Sequence, residues 1–288
     1  VRLLVTNDDG IEAEGIHVLA RALRDDGHDV IVVAPDRDWS GAGASLGGIE
    51  ADRNRDTERV EIPDGDGIEA WSLSGPPAFT VLAARLGAFG PEPDLVVSGI
   101  NAGLNTGRAI LHSGTVGAAL AAQNFGISGL AVSVQPADTW HWNTAAAIAV
   151  EVLPRVMAAP ERSVLNLNVP ARVRADVLGI RWARLAPFGA VRATTASVQG
   201  GRVQFELTAT NEELGDDTDQ GLVEQGYATL TTLVGVAEAW PPVSDDDRPD
   251  PELEERIVPG APLHDVHELP NADAVLFPPF RPDEDLSR

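Results

Sequence analysis

The first 35 residues constrain the fold more than any other stretch. Arg2 to Thr6 is an apolar run of strand length, and Asp29 to Ala34 is a second, rich in Val and Ile. Between them Ile16, Leu19, Ala20 and Leu23 recur at helical spacing from Glu14 to Asp26, with Gly27 placed as a C-terminal stop. Two strands joined by one helix in so short a span read as a βαβ unit, which implies a parallel sheet.

The first strand breaks off into Asn7-Asp8-Asp9-Gly10. Neighbouring side chains in a strand point to opposite faces, but Asp8 and Asp9 stand where the strand gives way to a turn, and Gly10 permits a positive φ there. Both carboxylates can then converge on one point. Two such charges repel unless a proton or a cation sits between them, and a hard divalent ion with oxygen ligands suits the pair. The same four residues also suit an ordinary turn, so the motif alone leaves both readings open.

Later stretches leave the sheet at the same edge. The second strand runs into Ala34-Pro35-Asp36-Arg37-Asp38-Trp39-Ser40-Gly41-Ala42-Gly43-Ala44-Ser45, too polar and Gly-rich for a core. In open α/β sheets the loops at the carboxyl ends of the strands form the binding crevice, which makes Ser40 a candidate ligand; by itself it would be a turn serine. Asp94 to Asn101 is another apolar strand with a polar end, followed by Gly103, Asn105 and Gly107. Asn101 offers a neutral carbonyl oxygen to an oxygen-only metal shell. In His112-Ser113-Gly114-Thr115-Val116-Gly117, Ser113 or Thr115 can cap a helix running to about Phe125, whose N-terminal amides form an anion site. His112 reads as a supporting neighbour.

The remaining chain is expected to divide into three parts. Residues 1–170 form the α/β core, with strands at Val60 to Ile62, Ile68 to Leu73, Leu130 to Val134 and Val164 to Val169. Helices are expected at Pro77 to Leu86 and at Trp140 to Met157, where Pro154 should kink or end the second. Residues 171–240 alternate as strands (Leu178 to Leu185, Ala190 to Val198, Arg202 to Thr208, Tyr227 to Leu233) around a short helix opened by Asp217-Thr218-Asp219-Gln220, and read as a β-rich extension or arm. Residues 241–288 carry the charge and proline run Asp245 to Pro251, which reads as a tail. His264 and His267 there have a metal-like spacing without a supporting pattern.

Composition excludes several classes of function. The net charge is -23, and all 21 Lys+Arg residues are arginine. Such a surface repels nucleic-acid duplexes and anionic membranes, and it suggests a salt-rich, halophilic interior. Near 1 M salt the Debye length is about 3 Å, so the shell would hardly hinder an anionic substrate. Absence of cysteine removes disulfides, thiolate metal sites and a thiol nucleophile. No apolar run reaches the roughly 20 residues of a membrane span, and the first residues form a strand in place of a leader. The protein is expected to be soluble and cytoplasmic.

Taken in order, Val5 to Gly10, Ala34 to Arg37 with Ser40-Gly41, Ser98 to Gly103 with Asn105 and Gly107, and Ser113 to Gly117 resemble the motif set of the SurE family. These are stationary-phase survival proteins, metal-dependent nucleoside monophosphate phosphatases. Weaker echoes at Leu167 to Pro170 and Thr218-Asp219 extend the likeness to roughly Leu233. The resemblance implies a Rossmann-like three-layer core, and a C-terminal arm exchanged between subunits of a homodimer or homotetramer. It also implies Mg²⁺ or Mn²⁺ held by Asp8, Asp9, Ser40 and Asn101, with phosphate contacted by Asn105, Ser113, Gly114 and Thr115. Ser74 to Phe79, Ala121 to Gln123 and Thr231 to Leu233 depart from the family pattern without touching these positions.

The two lines join in one mechanism: water attacks the phosphoryl group of a nucleoside 5′- or 3′-monophosphate, with Asp9 positioning or deprotonating it. A covalent aspartyl-phosphate is the rival route. A non-catalytic nucleotide sensor and a phosphatase acting on polyphosphate or other phosphomonoesters are the alternative functions.

Overall fold

The computed structural model describes residues 1–48, 54–187, 191–199, 202–209 and 215–237. The expected tail, with His264 and His267, lies outside them. Val1–Leu233 belong to one compact unit.

Its centre is a nine-stranded sheet. Strand β1 (Arg2–Thr6) pairs in parallel with β2 (Asp29–Pro35), and helix α1 (Glu14–Asp25) crosses between them. On the far side of β2 come β3 (Thr57–Val60), an antiparallel edge strand, and β4 (Glu69–Leu73), parallel to β2. On the other side of β1 lie β5 (Leu95–Ala102), β6 (Ser128–Val134) and β7 (Val164–Val169), all parallel. The strand order is β3-β4-β2-β1-β5-β6-β7, continued by two later strands. The chain therefore builds outward from β1 in one direction first and from β5 in the other afterwards. This reversal places a crevice at the carboxyl ends of β1 and β5, where open α/β sheets bind ligands.

Alternation along the strands sorts the side chains into two faces. Leu3, Val5, Val30 and Val32 pack with Ile16, Leu19 and Leu23 of α1 and with Ile148, Val152 and Leu153 of α4 (Trp142–Ala158). Leu4, Ile31, Val33 and Val96 face the opposite way, against Val81 of α2 (Pro77–Arg85) and Ala118 and Ala122 of α3 (Gly114–Asn124). Helices on both faces make three layers, as the sequence implies. Each fully buried Leu or Ile contributes about 1.5–3 kcal/mol. That burial explains why α4 runs through Pro154 to Ala158 and does not end at the proline: Leu153 and Val156 are in the core on either side of it. Among the described residues, no helix is long and apolar enough to cross a membrane.

The region after Pro170 differs from the expected extension. Strand β8 (Ile180–Trp182) and strand β11 (Ala228–Leu233) join the main sheet, β11 lying antiparallel to β7 and β8 parallel to β11. Their inward residues explain it, since Ile180, Ala228 and Leu230 are fully buried and complete the apolar face that α4 covers. Only β9 (Val191–Gln199) and β10 (Arg202–Ala209) stand as a separate antiparallel hairpin. Helix α5 (Asp219–Gln225) follows, capped by Thr218, whose hydroxyl accepts from the Gly221 N–H, and ended by Gly226 at φ 104°.

Candidate active site

The turn after β1 is self-bracing. The Asn7 side chain donates to the Gly10 carbonyl at 2.8 Å and accepts from the Gly10 N–H at 3.2 Å. Gly10 itself has φ 100°, and a Cβ there would stand 3.1 Å from the Arg37 main chain, so glycine is required on two grounds. The turn delivers Asp8 and Asp9 to different neighbours.

Asp8 is 3% exposed and seals the start of α3. The Gly114 N–H donates to its Oδ2 at 3.0 Å, and the Thr115 hydroxyl donates to its Oδ1. The contact depends on a missing side chain: a Cβ on Gly114 would lie 2.6 Å from Asp8 Cβ. Burial pushes the Asp8 carboxyl above the ordinary value of 3.8, while these donors, which favour the ionised form, pull against it. Ser113, the N-cap, accepts from the Val116 N–H at 3.1 Å. Gly114 and Thr115, which the resemblance assigns to a phosphate, are thus engaged by Asp8, as a buried carboxylate at a helix N-terminus is stabilised by the amides and dipole it meets.

Asp9 turns toward β5, where its Oδ2 accepts from the Ala102 N–H at 3.4 Å. It is partly exposed, and its pKa is pushed up to about 6 by burial first, then by the charges of Asp8 and Asp38. Asn101, the neighbour of Ala102, follows a register shift in β5 between Ser98 and Asn101, the kind of bulge that re-aims a side chain. Its Nδ2 donates to the Gly103 carbonyl at 2.7 Å, so Oδ1 is the atom it has to offer a ligand.

The Ala34-to-Ser45 loop closes over the same edge. The Trp39 N–H donates to the Asp8 carbonyl at 2.7 Å, and the Gly43 N–H donates to the His112 carbonyl at 3.1 Å. A Cβ on Gly117 would lie 2.2 Å from the Gly43 carbonyl oxygen, so this loop rests on the first turns of α3. Exposed Ser40 donates its hydroxyl proton to Asp38 Oδ1 at 2.6 Å. Placing that proton leaves the oxygen lone pairs for a cation. His112 is exposed and meets the loop through its main chain.

The donor set fits a hard divalent ion. It comprises two carboxylates that repel each other, a serine oxygen and an amide oxygen, without nitrogen or sulfur. Asp8 and Asp9 carry the anionic charge of this set; among the described residues no group of three or more His, Cys, Asp or Glu side chains could hold a metal.

Asn105 belongs to a polar network on β6 and β7. Its Nδ2 donates to Ser133 Oγ at 2.9 Å, its N–H donates to Asn168 Oδ1 at 2.9 Å, and its carbonyl accepts from Asn166 and Asn168, each at 2.8 Å. Asn166 and Asn168 are fully buried. Sequence reading passed over Asn166 and met Asn168 only within the Leu167-to-Pro170 family echo, with no role assigned; the available signal was an asparagine at every second position of an otherwise apolar strand. It also passed over Asp38, visible as an acid two residues before Ser40.

Comparisons with known proteins bear on the family and the fold. A family model described as "Survival protein SurE" matches residues 3–189. The 5′-nucleotidase SurE of Xanthomonas campestris pv. campestris (strain B100) is 38% identical over 240 residues, covering 81% of this chain and 89% of the relative. The 5′-nucleotidase SurE of Xanthomonas oryzae pv. oryzae (strain PXO99A) is 42% identical over 242 residues, with the same two coverages of 81% and 89%. A crystal structure of the SurE protein from Aquifex aeolicus is similar with a TM-score of 0.68 at 30% identity, over 81% of this chain and 93% of that one. A motif set in order, a crevice at the strand-order reversal and relatives alike along most of the chain together establish that the protein belongs to the SurE family.

Proposed function

We propose that this protein is a metal-dependent phosphomonoesterase that hydrolyses nucleoside 5′- or 3′-monophosphates to nucleoside and phosphate. The observation that supports it best is the Asp8–Asp9 pair at the strand-order reversal, one carboxylate locked onto the start of α3 and the other left partly exposed beside the Ala102 N–H of β5. The names of the Xanthomonas relatives point to the same substrate class. A divalent cation such as Mg²⁺ or Mn²⁺, held by Asp8, Asp9, Ser40 and Asn101, would supply Lewis acidity toward the phosphoryl group and positive charge beside the attacking water.

The chain's own groups do the rest. Asp9 orients the water and accepts its proton. Oxygen attacks phosphorus in line, the bond to the nucleoside oxygen breaks, and that oxygen takes up a proton. Asp8, held from two sides, stays fixed while this happens. Two donors remain for the phosphate oxygens: Ser113, whose hydroxyl oxygen accepts from Val116 and keeps its own proton to give, and Asn105, which uses one amide hydrogen on Ser133. Gly114 and Thr115 act on the phosphate side through Asp8. The β9–β10 hairpin pairs only with itself among the described strands, which supports its use as the arm between subunits of a homodimer or homotetramer.

The test is phosphate release at high salt with added Mn²⁺ across a panel of nucleoside monophosphates, polyphosphate and simple phosphomonoesters, for the native protein and Asp9→Asn. Release from the native protein alone, highest with nucleoside monophosphates, is expected. Release by neither protein would make the fold a nucleotide sensor, and equal release by both would remove Asp9 from the chemistry.

A further inference from the structure

One fully buried carboxylate has no part in the chemistry above. Asp219, the first residue of α5, is 0% exposed, and all its partners are main-chain N–H groups. Gly107 donates to Oδ2 at 2.8 Å, while Ala186 and Gln220 donate to Oδ1, each at 2.9 Å. These donors come from three places. Gly107 is two residues beyond Asn105; Ala186 lies on the chain entering the β9–β10 hairpin; Gln220 lies on the chain leaving it.

The two hairpin roots are also stitched to each other. The Arg184 N–H donates to the Asp217 carbonyl at 3.0 Å, and the Asp219 N–H donates to the Arg184 carbonyl at 2.8 Å. Asp219 therefore joins the two connected hairpin roots to the segment that carries Asn105 and Gly107. Asn166 and Asn168 in turn donate to the Asn105 carbonyl. The Asn105-to-Gly107 turn is held between β7 and the hairpin base, with little freedom of its own.

The residue type follows from the donor count. Three N–H groups converge on two oxygens, so both must accept. An asparagine would set its NH₂ against one of these N–H groups, and a buried donor without a partner is destabilising. Gly107, reached by a lone contact at Oδ2, is the natural one to lose its bond, because the other two share Oδ1.

We propose that Asp219 is a positioning residue for the substrate side of the active site: it fixes the Asn105-to-Gly107 turn and ties it to the roots of the β9–β10 hairpin. This rests on the phosphatase reading only for its kinetic consequence. A phosphate donor at Asn105 must be held where the phosphoryl oxygens arrive, and misplacement of about 1 Å lowers rates on the order of 100-fold.

The experiment uses the full chain at high salt and compares the native protein, Asp219→Asn and Thr218→Ala. The last removes the α5 cap but leaves the Asp219 carboxylate, so it reports what loss of α5 stability alone does. Three quantities are read: amide hydrogen exchange at Gly107, Mn²⁺ affinity, and kcat/KM on a nucleoside monophosphate. In Asp219→Asn, Gly107 exchange should quicken about tenfold or more, kcat/KM should fall about tenfold to hundredfold, and Mn²⁺ affinity should stay within about twofold. Thr218→Ala should lower the melting temperature while leaving kcat/KM nearly unchanged. Unchanged Gly107 exchange, or activity that falls in step with melting temperature in both variants, overturns the proposal.

If Asp219→Asn does not fold, the native protein still decides. The Gly107, Ala186 and Gln220 amides should then be protected to a similar degree, and a Gly107 amide exchanging like an open loop refutes the clamp. If the native protein releases no phosphate at all, the phosphatase reading fails while the exchange and Mn²⁺ measurements still test Asp219.

Discussion

Gly114→Ala is the sharpest test of how the metal side of the site is built. The added Cβ would lie 2.6 Å from Asp8 Cβ, 2.8 Å from Oδ2 and 3.1 Å from Cγ. Non-bonded carbons rest at about 3.5–4.0 Å, so Asp8 and the start of α3 must part by roughly 1 Å. Asp8 has nowhere to retreat: it is buried, its carbonyl accepts from Trp39, and its Oδ1 accepts from Thr115. The Gly114 N–H bond to Oδ2 is then the contact that breaks. For stability two effects oppose each other. Alanine gains up to about 1 kcal/mol over glycine in a helix, and overpacking costs about 1–3 kcal/mol. The net loss from these two effects is at most about 3 kcal/mol, a melting shift of up to about 10 °C in a chain of this size. A carboxylate displaced by that distance should instead lower phosphate release on the order of 100-fold and weaken Mn²⁺ binding. The assay is turnover with added Mn²⁺ beside a Mn²⁺ titration and a thermal melt. A folded Gly114→Ala protein with native turnover and native Mn²⁺ affinity would refute the fixed Asp8 position.

Four further outcomes follow. Since protons and Mn²⁺ compete for Asp9, whose pKa is raised to about 6, apparent Mn²⁺ affinity measured by titration should fall about tenfold for each pH unit below 6 and level off above it. In the metal-free protein the sign runs the other way for stability: a carboxyl raised from 3.8 to about 6 binds more protons folded than unfolded, so denaturant melts should show this group's contribution decreasing as pH rises from about 4 to 6; an Asp9→Asn protein that keeps the same pH dependence would contradict this. Asn168→Ala removes the acceptor of the Asn105 N–H at a fully buried position and should destabilise by about 2–3 kcal/mol, seen as a lower denaturation midpoint with unchanged slope. With a net charge of -23, the melting temperature should rise between 0.1 M and 1 M KCl as self-repulsion is screened, and a flat response would mean that the acidic shell does not limit stability.

Much of the site was legible because its signals are local. The Asn7-to-Gly10 turn, the Ser113 cap and the apolar periods of β1, α1 and β2 depend on residues within a few positions of each other, so the sequence displays them directly. The parallel pairing of β1 with β2 followed from the βαβ pattern, whereas the order of the strands came only from the structure.

What the sequence by itself determined is therefore the layered α/β core, its carboxylates and its helix-capping loop. Only tertiary structure decided the pairings. Asp8 meets Gly114 across 106 positions, Asn105 meets Asn168 across 63, and Gly107 meets Asp219 across 112. Nothing near any of these residues announces its partner. The late strands β8 and β11 show the same limit, for their alternation marks them as strands without saying which sheet they join. That choice falls to the buried faces of Ile180 and Leu230, whose apolar area is covered only when the chain returns to the edge of β7.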